Sequence, residues 1–475
     1  MQKIFLITLL LVSLLPSART LNVVNFGANG KDKIDDTSAF QKCVDQLASE
    51  GGGTMEIPNG IYYISHLKFF GKKYSNITIR GFSSTIRQIL PAKRISAHNG
   101  LYQTFAERLS ADGCFVFDAM VSHQQDDSES IKNIKISGVK FETDVQKVGF
   151  DELMHQISAH GVSNFSVDNC SFTGFLGDGV AINAGTDYRF NRNAYNKNIT
   201  IYNCKFDGVN KDNRQGISIY YSDGFLIENC SFKNITRGDM PGAIDIEPNS
   251  ETQVSRNGII RNCSFENIGG LGAVTIHTGK SSSLNKYSNK NFIVENCNFQ
   301  NVRAAFCIVG HEKFMEYKTS ENVIRILNSK VRNAEAIADI RSGFGILFSN
   351  VQFYDIHNAG LNTVTDGGAN GITFDQCLFD NVSNIYGVVF YGKTTNINFK
   401  NSTFKNFAAH AITINDPLGI GTITDNVFYS SKYGRALPLV TSTISRSEIL
   451  SKLNIKNNQY FGTFKHIDLQ EFLKK

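Results

Sequence analysis

The sequence predicts an all-β fold: a right-handed, single-stranded parallel β-helix of about eleven or twelve coils, closed at its N-terminal end by a capping helix. Three observations carry that prediction. One short phrase returns again and again between residues 131 and 460. Each copy alternates apolar and polar residues with period two. A second short apolar strand follows each copy by about ten residues.

The phrase is fullest in Asn198-Ile199-Thr200-Ile201-Tyr202-Asn203-Cys204-Lys205-Phe206. It returns as Gly224-Phe225-Leu226-Ile227-Glu228-Asn229-Cys230-Ser231-Phe232 and as Asn291-Phe292-Ile293-Val294-Glu295-Asn296-Cys297-Asn298-Phe299. Weaker copies end at Phe141, Phe172, Phe265, Val331, Phe353, Phe379, Phe404, Phe428 and Tyr460. They recur every 24 to 34 residues or so, about the period of a solenoid. Each copy reads as a strand with one face inward. The Asn before the Cys falls where the strand must turn: Asn tolerates left-handed backbone, and its amide can bond to equivalent side chains in the coils above and below. The second strands include Val180-Ala181-Ile182, Ile217-Ser218-Ile219, Ile244-Asp245-Ile246, Val274-Thr275-Ile276 and Phe306-Cys307-Ile308. At about 4.8 Å per coil the stack is roughly 55 Å long. The missing Leu pattern excludes a leucine-rich repeat, and the short, uneven period excludes a propeller.

Six of the 9 Cys (Cys170, Cys204, Cys230, Cys263, Cys297 and Cys377) occupy the same place in the phrase. They read as one interior column of small buried residues rather than a disulfide set. No spacing resembles a zinc site.

Residues 1–20 read as an export signal: Lys3, an apolar stretch from Ile4 to Leu15, then the small-residue exit Pro16-Ser17-Ala18-Arg19-Thr20. The apolar run is about 12 residues where a membrane span needs about 20, so no span is expected and the product is secreted or periplasmic. Residues 21–130 form the N-terminal cap and first coils, with an insertion within 81–130, and residues 131–475 form the coils that carry the groove. The formal net charge of +5 permits an acidic partner without demanding one, and no basic cluster is dense enough for nucleic acid. Oligomeric state is left open.

Within the cap, Asn25-Phe26-Gly27-Ala28 leads to Asp35-Asp36-Thr37, which starts a helix with Phe40, Val44 and Leu47 on one face. Gly51-Gly52-Gly53-Thr54 and Met55-Glu56-Ile57-Pro58-Asn59-Gly60 then give a loop and a first strand. This string, with the coils behind it, resembles the pectin lyase-like superfamily, which includes polygalacturonases, pectate lyases and phage tailspike depolymerases. The resemblance covers nearly the whole chain after residue 20. It implies the fold and a carbohydrate-polymer partner, and it marks Asp35 and Asp36 as structural.

A solid β-helix has no interior cavity, so function must lie on an outer face. Aligning Ile219, Ile246, Ile276, Ile308 and Ile340 gives one outward column of Ser218, Asp245, Thr275, Cys307 and Asp339. Its neighbour runs Tyr220, Glu247, His277, Val309, Arg341, and one coil earlier the two columns hold Ala181 and Asn183. Asp178 and the Arg214-Gln215 pair lie just upstream of their strands. Asp245 and Glu247, two apart on a strand, both point outward with Cα atoms about 6.5–7 Å apart. His277 stacks over Glu247. Like charges this close raise one carboxyl pKa, as general acid catalysis requires. Asp245, Glu247, Asp178, His277 and Arg214 are therefore the candidate catalytic residues. Asn183, Gln215, Asp339 and Arg341 are candidate substrate contacts, as are Tyr188 and Arg189 in the loop from Ala184 to Lys197. The chain has no Trp, so sugar stacking falls to Tyr188, Tyr195, Tyr220 or Tyr221.

Three functions fit these residues. A glycoside hydrolase would use one carboxyl as acid and another as base, at a spacing compatible with the roughly 6.5–9.5 Å of inverting enzymes. The resemblance to polygalacturonases extends to the order Asp178, Asp245/Glu247, His277, Arg341, although the Asn-x-Asp and Asp-Asp steps of that family are absent. A polysaccharide lyase or epimerase would use Arg214 or His277 as base. Asp178, Asp245 and Glu247 would then hold Ca²⁺ against a uronate carboxylate; no other cofactor or metal is expected. A non-catalytic carbohydrate-binding or surface protein would use the same scaffold without turnover.

Overall fold

The computed structural model describes residues 19–89, 113–185 and 192–462, apart from 210–211, 251–252, 279–288, 311–321, 359–360, 363–367, 383–386, 408–409, 418 and 431–450. All but the last two residues of the expected export signal lie outside that range. Arg19 and Thr20 are already part of the folded unit, with Thr20 paired to Thr54.

Every strand pairing in the described residues is parallel, which is the signature of a coil stacking on its predecessor. The longest column of paired strands begins at Thr20–Asn22 and ends at Leu453–Lys456. The repeated phrase supplies its strands from Ile131 onward, and the cap region supplies those before it. Strands Ile77–Gln88 and Gly113–Asp118 pair with the coils on either side of them. Of the insertion expected within 81–130, residues 90–112 lie outside the described part.

The helix Thr37–Ser49 (α1) buries Phe40, Cys43, Val44 and Leu47 over the first coil. Asp36 precedes it, with its carboxylate accepting from the Asn29 and Tyr63 amides, so its role is structural.

Three devices recur from coil to coil. Phe141, Phe172, Phe206, Phe232, Phe265 and Phe299 stack face to face at 4.6–5.2 Å through the core. All nine Cys are buried and unbridged; five of the six in the phrase stack next to one another, and their thiols donate to backbone carbonyls. Asn residues with positive φ turn the chain, and many bond through the side-chain amide to an Asn or Asp one coil earlier, as Asn203 does to Asn169 at 2.5 Å, Asn164 to Asn133 at 3.0 Å and Asn257 to Asp223 at 3.0 Å. The phrase points to one such ladder, at the Asn before Cys. Further ladders run through Asn133, Asn164 and Asn198, and through Asn234 and Asn267.

Candidate active site

The outward column predicted from the repeat is reproduced by the strand register. Ser218 pairs with Asp245, Asp245 with Thr275, Thr275 with Cys307 and Cys307 with Asp339. On the next outward column His277 pairs with Val309 and Val309 with Arg341, and Glu247, one residue beyond the Ile246–Ile276 pair, lies level with His277. The same columns continue toward the N-terminus through Val116, Ser158 and Ala181, and through Asp118, His160 and Asn183.

Close stacking at the start of these strands is set by backbone. Gly242 has φ +137 and sits so near the next coil that an added Cβ would lie 1.9 Å from the Gly272 carbonyl oxygen. Only Gly fits there, and it delivers the strand Ile244–Ile246 onto the column with Asp245 outward.

Asp245 is fully buried, and no hydrogen-bond donor reaches either of its carboxyl oxygens among the described residues. The carboxyl of Glu247, which is partly exposed, is the charge that acts on it most strongly. Neighbouring carboxyls of this kind favour one shared proton over two ionised groups. Burial first, and then the charge of Glu247, push the Asp245 carboxyl well above the usual carboxylate range, while Arg214 opposes them.

Asp178 and Arg214 have a different arrangement from the one expected. Both are buried, and Arg214 Nη1 lies 2.6 Å from Oδ1 and 2.7 Å from Oδ2 of Asp178. Asp178 also accepts from the Gln215 amide at 3.2 Å and faces His155 Nδ1 at 3.2 Å. Despite burial, Arg214 and His155 hold the Asp178 carboxyl below its usual range. Asp178 is therefore an ionised ion-pair partner rather than an acid. Arg214, fixed on it and raised further by it, cannot serve as a base. The trio proposed for Ca²⁺ does not fit: both Asp178 oxygens are on Arg214, and burial disfavours the ionised form of Asp245.

The remaining candidates divide. Arg214 Nη2 donates to the Tyr220 hydroxyl at 2.8 Å, and Tyr220 is partly exposed at the groove. Asn183 is buried, its amide donating to Ser158 Oγ at 2.7 Å. Gln215 is fully buried with both amide atoms unpartnered, out of reach of a polymer. Tyr221 is buried against Tyr195, edge to face at 5.5 Å, which corrects its expected place as a stacking surface. Tyr195 itself donates to Asp223 at 3.2 Å. Arg341 closes on Asp339 at 2.8 Å. Tyr188 and Arg189 lie outside the described residues, as do most of the loops expected to wall the groove.

Sequence reasoning missed four groups on this face. Asp118 and Arg192 form a buried bidentate pair at 2.7 and 2.8 Å. His160 Nε2 faces Ser158 Oγ at 3.1 Å, His155 backs Asp178, and Glu152 stands 3.9 Å from Arg214. Extending the column alignment two coils N-terminally, to His155–His160, would have found the histidines; nothing periodic announces Arg192.

A family model described as "Right handed beta helix region" matches residues 124–324. Among solved structures, the A-module of mannuronan C-5 epimerase AlgE6 from Azotobacter vinelandii aligns over 93% of this chain and 99% of its own, at 14% identity and a TM-score of 0.51. The pre-mature bacteriophage phi29 gene product 12 aligns over 94% of this chain and 56% of its own, at 13% identity and a TM-score of 0.60. Among curated proteins, "Alginate lyase 7" of Azotobacter vinelandii is 48% identical over 44 residues, 9% of this chain and only 5% of that protein. At such low identity the structural likenesses speak to fold, and they agree with the repeat and the register. The chain is a right-handed parallel β-helix, a fold it shares with these structures.

Proposed function

We propose that this protein is exported and cleaves a polysaccharide by acid catalysis, with Asp245 and Glu247 as the proton-delivering pair. One observation carries the reading. Asp245 is a fully buried carboxyl that no donor reaches among the described residues, its pKa raised by burial and by Glu247, a neighbouring carboxyl that does reach the surface. A general acid must hold its proton at neutral pH and release it to a leaving oxygen, and a pair with unequal burial does both. Glu247 is the member that meets the glycosidic oxygen, and Asp245 is the proton store behind it. His277, level with Glu247 one coil on, is the further group we assign to water.

A uronate lyase or epimerase is the second reading. It is favoured by the short alginate lyase match and by the fold shared with a mannuronan epimerase. Against it, the three arginines described on this face each sit on an Asp, leaving none of them for a substrate carboxylate.

The test is turnover of the purified chain on neutral and acidic polysaccharides, with and without EDTA, beside Asp245→Asn and Glu247→Gln. New reducing ends without ultraviolet absorbance, lost in both variants, are expected. Absorbance from an unsaturated uronate would establish the second reading. Turnover that survives both substitutions would remove the site, and binding without turnover would mean a carbohydrate-binding protein.

A further inference from the structure

We infer that Tyr220 is a specificity-determining hydrogen-bond donor, its O–H aimed at a hydroxyl or ring oxygen of a neutral sugar unit lying beside Glu247, with Arg214 as the residue that positions it. The inference uses the groove of the proposed function but not the cleavage step.

Guanidinium groups donate and never accept. The 2.8 Å contact from Arg214 Nη2 therefore fills an acceptor site on the Tyr220 oxygen and turns the phenol's own hydrogen away from Arg214. Arg214 cannot move to follow it. Its other terminal nitrogen is on both oxygens of Asp178 and within 3.2 Å of Ser218 Oγ, and Asp178 is itself held by the Gln215 amide and backed by His155. The chain His155–Asp178–Arg214 is buried throughout, while Tyr220 at its end is only partly so.

Tyr220 also occupies a defined place in the groove. Its amide donates to the Ile182 carbonyl, and the Glu247 amide donates to Ile219, so the side chain lies between Asn183 and Glu247 on one outward column. Burial raises the phenol far from ionisation, with Arg214 opposing, so it is a donor and not a base. Arg214 and Asp178 cancel each other's charge, and the carboxyls of Asp245 and Glu247 act on Tyr220 electrostatically. That setting repels a uronate at this position and suits an uncharged oxygen.

Asp245→Asn, Asp245→Asn/Tyr220→Phe and Asp245→Asn/Arg214→Lys, which abolish the proposed cleavage and leave Glu247 in place, would be titrated calorimetrically with neutral gluco-, galacto- and manno-oligosaccharides and with oligouronates. At least one neutral series is expected to bind, about tenfold more weakly once the Tyr220 hydroxyl is removed, as for one hydrogen bond of about 1.4 kcal/mol. Arg214→Lys should lose affinity similarly, and adding Tyr220→Phe to it should cost little more, because both act through one bond. Tyr220→Phe alone, which removes one hydroxyl from a partly exposed ring, keeps the test valid if Arg214→Lys fails to fold. Unchanged affinity in Tyr220→Phe, absence of neutral-sugar binding, or tighter binding of oligouronates would overturn the inference. Tyr220-dependent binding without turnover in the unsubstituted chain would retain it while removing the proposed cleavage.

Discussion

Replacing Asp245 by Asn isolates the proton that the site depends on. The carboxyl is fully buried and its pKa is raised, so the folded protein keeps the proton over a pH range where the unfolded chain, near 3.9, has lost it. A raised acid contributes stability that is complete below the unfolded pKa and is lost as pH climbs toward the folded one. Between those limits the unsubstituted protein loses about 1.4 kcal/mol per pH unit at this residue. Asn has nearly the shape of the protonated acid and can still donate to Glu247, but it does not titrate. Near pH 4 the two proteins should differ by no more than about 1 kcal/mol, the worth of one such bond. As pH rises from there, Asp245→Asn should gain steadily on its parent, by up to about 1.4 kcal/mol per pH unit, until the folded-state pKa is reached. Every other titrating group is common to both, so their contributions cancel as far as they do not couple to Asp245. Urea unfolding of both proteins at half-unit steps from pH 4 to 8 measures the gap directly. A gap that stays flat, or one in which Asn becomes progressively worse, would mean that Asp245 is ionised in the folded state and that the shared-proton argument is wrong.

Four further outcomes follow from the same contacts. Asp178→Asn, which leaves Arg214 buried and unpaired, should cost about 3–5 kcal/mol at neutral pH by denaturant unfolding. Because the Asp178 pKa is lowered, that deficit should shrink as pH falls below about 4 and the parent protonates. Asn203→Ala should cost about 2 kcal/mol in urea, from left-handed backbone and a lost ladder bond, and Asn203→Gly distinctly less because only the bond is lost. Phe232→Ala, which opens a gap in the ring stack between Phe206 and Phe265, should lower stability by about 3–5 kcal/mol in the same assay. A membrane-impermeant thiol reagent should label no Cys in the native protein and all nine in denaturant, since every thiol is free and buried.

How much of this the residues announced depends on whether the signal repeats. Ile219, Ile246, Ile276 and Ile308 mark the coil register because a parallel stack places the same side chain at the same place each turn, so the Asp245 and Glu247 columns could be aligned by eye. The partners of the charges could not. Arg214 reaches back a coil to Asp178, 36 residues away, and Arg192 returns from a loop to Asp118, 74 residues away. A loop residue's destination carries no period. That is why Asp178 and Arg214 read from sequence as free catalytic groups and prove to be each other's counter-ions. Tyr221 misleads for a related reason: it follows Tyr220 by one residue, and at the end of a strand that step carries it off the groove and onto Tyr195.

The distribution of charge along the face separates support from chemistry. Asp118, Asp178 and Asp339 each have an Arg within 2.8 Å, and an ion pair of this kind, once desolvated, is held by its partner and gains nothing from a ligand. Asp245 lies between the second and third of these pairs on the coil axis, just as deeply buried, yet no Arg pairs with it among the described residues and the carboxyl of Glu247 raises its pKa. A fold that needed only to satisfy a buried polar group at this position could place Ser, Thr or Ala there, as its neighbours Ser218, Thr275 and Ala181 do. The unsubstituted site instead accepts the cost of a buried, proton-sharing acid pair. If Asp245→Asn becomes the more stable protein as pH rises while losing activity, stability will have been exchanged for a held proton, which is the trade expected of a catalytic group and not of a scaffold.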